Sequence, residues 1–266
     1  MNIKPLQEKI ALVTGGTRNV GKGIAIGLGE AGAIVYVTGR SIVDKDVKGI
    51  TSAGGRGIAL VCNHENDEEV KKVFEHIKEK EGKLDILVNN AWGGYNRLRN
   101  RKKYKGFKWK EVFWKQPLEL WDEMNNVGVR SNYIASVYAT ELMLRQKSGL
   151  IVNISFYASR KYYGNVIYGV AKAAVDKMTM DMSEELKKYK VACVSLYPGY
   201  IDDKKSKKTP NPKKETSIFV GRAITALASD KNIMKKTGQI LVAAKLASEY
   251  GFTDVDGIQP EPYDKL

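Results

Sequence analysis

Residues 9–25, KIALVTGGTRNVGKGIA, constrain the fold more than any other stretch of the chain. An apolar run leads into a glycine-rich turn, and the turn opens a helical segment. Free N–H groups at a helix start, with the positive end of the helix dipole behind them, are suited to hold a phosphate. The glycines matter because the backbone must come close to the bound group. Gly15 and Gly21 meet that need. Asn19 stands where a further glycine is common, and Asn tolerates left-handed backbone angles better than other non-glycine residues.

The rest of the chain repeats the alternation. AIVYVTG, GIALVC and LDILVNNA read as further strands, followed later by GLIVNIS, VACVSLYPG and GQILVAA. Helix-period segments lie between them, over 21–31, 67–82, 118–146, 166–189 and 217–230. The 67–82 segment places Val70, Val73, Phe74 and Ile77 on one face. Such alternation predicts a parallel sheet with helices on both sides, an α/β three-layer, doubly wound architecture. Nearly all-apolar strands agree with a sheet covered on both faces. No linker rich in Pro, Gly or Ser divides the 266 residues, so one domain over 1–266 is expected, with basic loop insertions at 92–117 and 199–217.

Composition excludes several classes. Cys62 and Cys193 are the two cysteines, both in strand-like runs, which points to a reducing compartment and not a disulfide framework. His64 and His76 stand alone and are expected at the surface, and no Cys/His spacing suggests a metal. The N-terminal residues show no signal-peptide pattern, and no apolar run approaches the roughly 18 residues of a membrane span. A cytoplasmic protein is the expectation. The formal net charge of +14 is concentrated in RLRNRKKYKGFKWK (97–110) and KKSKK (204–208). These blocks read either as solvated loops or as attraction for anions.

A glycine-rich turn in a βαβ unit of this kind suits a dinucleotide. NAD sites of this type end the second strand with an acid for the ribose hydroxyls. Here the strand ends VYVTGRS, without one. Arg40 takes that place, and Arg18 lies in the first turn. Two guanidiniums can fork a 2′-phosphate, which favours NADP over NAD.

Further on, YGVAK places Tyr168 and Lys172 four apart on one helix face. An adjacent ammonium lowers a phenol's pKa, and such a phenol can exchange a proton with a carbonyl oxygen. TGGTRNVG, LDILVNNA, GLIVNIS, YGVAK and YPG, in this order and spacing, resemble the short-chain dehydrogenase/reductase family over essentially the whole chain. The resemblance implies a Rossmann-type, seven-stranded parallel sheet and hydride transfer between NADP(H) and a carbonyl or alcohol. It implies that Tyr168 donates or accepts the proton and that Lys172 lowers its pKa and holds the nicotinamide ribose. Gly15, Thr17, Arg18, Asn19, Val20 and Gly21 would face the pyrophosphate and adenosine, and Asn63 the adenine. Asn90 and Ala91 would line the cofactor groove; Pro198, Gly199 and Ile201 would border the nicotinamide. A homo-oligomer is also implied.

Five positions depart from the family pattern. The usual Asn of the 118–146 helix falls on Gly128. The catalytic serine is Ser155 counted back from Tyr168, or Phe156 counted along the strand; Ser155 is preferred, as a hydrogen-bond donor to the substrate oxygen. Asn63 replaces an acid, and Asp203 replaces a Thr beside the nicotinamide. Trp92 follows NNA where glycine is usual, as a substrate platform or as packed core. In the 92–117 insertion, Tyr95, Tyr104, Phe107, Trp109, Phe113 and Trp114 alternate with Lys and Arg. A substrate lid or subunit contact is the preferred reading; a plain solvated loop comes next, and single-stranded nucleic acid last. A protein that binds NADP but is catalytically impaired is the alternative to an enzyme.

Overall fold

The computed structural model describes residues 4–263. Its strands are β1 (Ile10–Val13), β2 (Ile34–Gly39), β3 (Arg56–Val61), β4 (Ile86–Asn89), β5 (Gly149–Ile154), β6 (Val191–Tyr197) and β7 (Ile240–Val242). Its helices are α1 (Asn19–Glu30), α2 (Lys48–Ser52), α3 (Asp67–Glu81), α4 (Asn96–Arg99), α5 (Glu119–Asn125), α6 (Ser131–Gln146), α7 (Val166–Leu186), α8 (Ser217–Ser229) and α9 (Ala243–Tyr250). The strands form one parallel sheet in the order β3-β2-β1-β4-β5-β6-β7. The order reverses between β1 and β4, and ligands of open α/β sheets bind beyond the strand ends at such a switch.

Successive side chains of a strand point to opposite faces. Ala11 and Val13 therefore pack into a core with α1, α2, α8 and α9. Ile10 and Leu12 pack into a second core with α3, α6 and α7. Burial on both sides is why most positions of the inner strands are apolar. Helix α3 shows local and global signals in agreement. Asn66 accepts from the N–H groups of Glu68 and Glu69, acids fill the first turn, and Gly82 ends the helix at φ 67°. Its buried residues are the predicted Val70, Val73, Phe74 and Ile77.

Three expectations need correction. The single helix over 118–146 is broken into α5 and α6 by a wide turn at Asn126–Arg130, where Val127 and Gly128 leave the helical region. The Val127 carbonyl is diverted to accept from the Gly93 N–H at 2.8 Å. The second concerns the KKSKK block. Lys205 is not solvated: its ammonium is fully buried between Asp254 (3.2 Å) and Asp256 (3.1 Å). The 199–217 segment is thus clasped to the chain's last described residues. The 166–189 helix also ends slightly early, at Leu186, with a tight turn over Lys187–Tyr189. Among the described residues no helix is long and apolar enough to cross a membrane.

Candidate active site

The phosphate turn is set by its neighbours. Gly15 lies at φ +62°, and a Cβ there would stand 2.9 Å from Ala91 Cα. Asn19 takes φ 48°, the left-handed conformation its residue type suggested. The Gly15 N–H donates to Thr38 Oγ1 at 3.1 Å, and Thr38 Oγ1 is 2.7 Å from His64 Nε2. Asn90 Nδ2 donates to the carbonyls of Thr14 (2.9 Å) and Gly15 (3.1 Å). Thr14 Oγ1 in turn accepts from the N–H groups of Asn90 and Ala91. The turn is therefore braced from the ends of β2 and β4. His64, expected at the surface, is buried, and burial lowers its pKa to about 4. It is a neutral strut: burial disfavours the charged ring, and Thr38 gives its Nε2 a partner inside. Thr14, Thr38 and His64 were missed in the sequence. The signal was a threonine at the C-terminal end of each of two apolar runs.

A cleft of about 1380 Å³ opens along this edge of the sheet. Every residue that the sequence assigned to cofactor or catalysis lies on its wall, from Gly15 through Arg40 and Asn63 to Tyr168, Lys172 and Ile201. Arg18, Arg40 and Arg99 share that wall, and among the described residues none has a carboxylate partner. Arg99 comes from the insertion. Its pKa is lowered by burial and then by the nearby charges of Arg18 and Arg40.

Tyr168 and Lys172 stand on α7, with the Lys172 ammonium 5.9 Å from the Tyr168 ring centroid. Lys172 Nζ donates to the Ile154 carbonyl at 3.0 Å. Burial brings its pKa down to about 8, opposed by Asp176, so it stays mostly charged at neutral pH. The expected lowering of the Tyr168 phenol is not found. Burial, and after it the neighbouring Tyr95 hydroxyl, raise its pKa well above the ordinary value. The cause is an aromatic enclosure: ring centroids of Trp109, Trp92, Phe156 and Tyr95 lie 5.4, 5.6, 6.4 and 6.5 Å from that of Tyr168. Three of these four come from the 92–117 insertion.

Ser155 reaches the cleft wall, but its hydroxyl donates to the Lys172 carbonyl at 3.3 Å. Phe156 beside it faces Tyr168. Asp203, placed by sequence next to the nicotinamide, turns its Oδ1 to the Ser217 N–H at the start of α8 (2.7 Å), where the helix dipole favours an anion. The Pro198–Ile201 segment is held by Glu215, whose Oε2 accepts from the Gly199 N–H at 2.7 Å. Burial raises the Glu215 pKa to about 8. Beneath the site, Asn89 donates to Asn153 Oδ1 (2.8 Å) and Ser136 Oγ (2.9 Å). Asn153 donates to Thr179, which meets Ser195. This buried relay ties three strands to α6 and α7. Its sequence signal was an asparagine inside each of two apolar strands.

Residues 9–214 match the family model described as short chain dehydrogenase. The chain is 38% identical over 282 aligned positions to Dehydrogenase/reductase SDR family member 1 of Homo sapiens, covering 98% of this chain and 88% of that protein. It is 27% identical to a 3-oxoacyl-(acyl-carrier-protein) reductase of Thermotoga maritima, covering 89% and 96%. A metagenomic short-chain oxidoreductase solved in complex with NADP shares the fold, with a TM-score of 0.73 at 22% identity, covering 90% of this chain and 97% of that one. With the glycine turn, the Tyr168–Lys172 pair and the reversed strand order on one cleft, the chain belongs to the short-chain dehydrogenases.

Proposed function

We propose that this member is an NADP(H)-dependent oxidoreductase acting on a carbonyl or alcohol, with residues 1–266 working as one domain; residues 1–3 and 264–266 lie outside the described residues. One observation carries the reading. A protonated Tyr168 and a charged Lys172 share a cleft with a glycine cradle and two unpaired guanidiniums. The residues present fit the cofactor. A Cβ at Gly15 would strike Ala91, so only glycine lets the turn close against the end of β4, and Arg18 and Arg40 offer charge-assisted hydrogen bonds to a 2′-phosphate. Asn63 would meet the adenine, and Pro198, Gly199 and Ile201 would flank the nicotinamide.

The bound cofactor would supply or accept hydride; the protein's part is proton handling and enclosure. Burial keeps the Tyr168 phenol protonated, as a donor to a carbonyl oxygen must be. The Lys172 ammonium then favours the phenolate left behind. Ser155 would give a second hydrogen bond once its hydroxyl leaves the Lys172 carbonyl. Trp92, Tyr95, Trp109 and Phe156 exclude water, which strengthens these electrostatic terms. Two buried free thiols suit a reducing, cytoplasmic setting. Exposed Tyr133 and Val137 on α6, with Val166 and Val170 on α7, support self-association.

The test is a carbonyl panel with NADPH and with NADH, repeated with Tyr168→Phe. Turnover in the wild type and its loss by about 10²- to 10⁴-fold in the variant are expected, with NADPH binding kept. The engaged Ser155 hydroxyl favours a second reading, a catalytically impaired NADP-binding protein. Tight NADPH binding without turnover of any carbonyl would establish that one.

A further inference from the structure

The Lys172 ammonium is held on one side by the Ile154 carbonyl and on another by an aromatic face. Its Nζ lies 4.4 Å from the Trp92 ring centroid, closer than it lies to the Tyr168 ring. The indole stands edge-on to Tyr168 at 5.6 Å, so one ring touches both members of the pair. It occupies a slot that glycines make possible. A Cβ on Gly128 would fall 2.4 Å from Trp92 Cε3, and a Cβ on Gly94 would fall 2.8 Å from Trp92 Cζ2. A side chain at 128 would force the ring or the backbone beside it to shift. The break between α5 and α6 is centred on this residue. The ring's polar edge does not fix it, since the buried Trp92 Nε1 makes no hydrogen bond among the described residues. Packing and the ammonium do.

We infer that Trp92 is a positioning residue for the Tyr168–Lys172 pair: its indole face holds the Lys172 ammonium in register with Tyr168, and Gly128 leaves room for that ring. A desolvated ammonium over an indole is among the stronger cation–π arrangements. Among the described residues the titratable groups facing Lys172 are few. Tyr168 and Asp176 share its helix, and Asp176 accepts a hydrogen bond from Tyr197 on β6. Trp92 is thus the contact that restrains the ammonium from the β4 side. The inference rests on Tyr168 and Lys172 being the working pair.

The experiment is a double-mutant cycle. Trp92→Leu and Trp92→Phe are made in the wild type and in Lys172→Met, and read by kcat, KM, NADPH affinity and thermal midpoint. Trp92→Leu is expected to lower kcat about ten- to thirtyfold with NADPH affinity within about threefold, and Trp92→Phe, which keeps an aromatic face, to restore most of kcat. In Lys172→Met, Trp92→Leu should change kcat by no more than about twofold and lower the midpoint less than it does in the wild type. Equal kcat losses in Trp92→Phe and Trp92→Leu, or the same loss with and without Lys172, would overturn the inference. Absence of carbonyl turnover in the wild type would defeat the functional reading alone. The midpoint cycle still decides this one: coupling between Trp92 and Lys172 supports it, and additivity refutes it.

Discussion

The proposed preference for NADP rests on cations that have no carboxylate partner among the described residues. Arg18 caps the start of α1 in an extended conformation, Arg40 follows β2, and Arg99 approaches both from the insertion. At about 4 Å and an effective dielectric of about 20, one guanidinium attracts a unit negative charge by about 4 kcal/mol. These side chains are exposed, so solvent screening and lost rotamer freedom remove much of that. A net of about 1.5 kcal/mol for each charge-assisted contact remains, equivalent to about tenfold in affinity. Arg40→Ala and Arg18→Ala are therefore each expected to weaken NADPH by about tenfold and NADH by no more than about twofold. Arg99→Ala should give a smaller loss of the same kind, since removing it also relieves repulsion on the other two. Fluorescence titration of both nucleotides measures the effect. Repeating it over a range of salt should show a shallower dependence in each variant. Equal weakening of NADH and NADPH, or tighter NADH binding by the wild type, would refute the reasoning.

Three further outcomes concern stability and are read by thermal unfolding. Glu215 has a folded pKa of about 8 against 4.5 for the free group, so its contribution is full below about 4.5 and is lost as pH rises toward 8. The loss is roughly 3 kcal/mol by about pH 7, and Glu215→Gln should flatten the curve between about pH 5 and 8; parallel curves would count against the buried acid. His64 acts in the opposite sense, with a folded pKa of about 4 against 6.5, so its stability is full above about 6.5 and is lost as pH falls toward 4. His64→Gln should remove roughly 3 kcal/mol of that acid-side loss, and an unchanged acid limb would refute the role. Gly128→Ala forces a Cβ into Trp92 and should cost about 1–3 kcal/mol, whereas an unshifted midpoint would show that the ring moves freely.

The periodicities of the chain determined the sheet, its two helical layers and the glycine turn, because these follow from which residues can face a core every second or every 3.6 positions. Tyr168 and Lys172 were legible for the same reason: four residues apart on a helix is a fixed distance. Asn19 was legible because its residue type tolerates the angle the turn requires. Other features depend on contacts between residues distant in sequence, and local pattern carries no trace of them. His64 is internal because Thr38 comes from the neighbouring strand to meet it. Lys205 is buried because Asp254 and Asp256 come from the far end of the chain. The 118–146 segment keeps its helical pattern but is broken at Val127 and Gly128, where Trp92, some thirty-five residues upstream, packs against the glycine. The Tyr168 phenol was expected low from one neighbour, Lys172, and stands high because four aromatic rings remove its water. Sequence determined the glycine turn and the Tyr168–Lys172 spacing; tertiary packing decided which further groups, such as His64 and Arg99, join them in the cleft and how each is charged and held there, since desolvation and close approach belong to the assembled surroundings and not to any one residue.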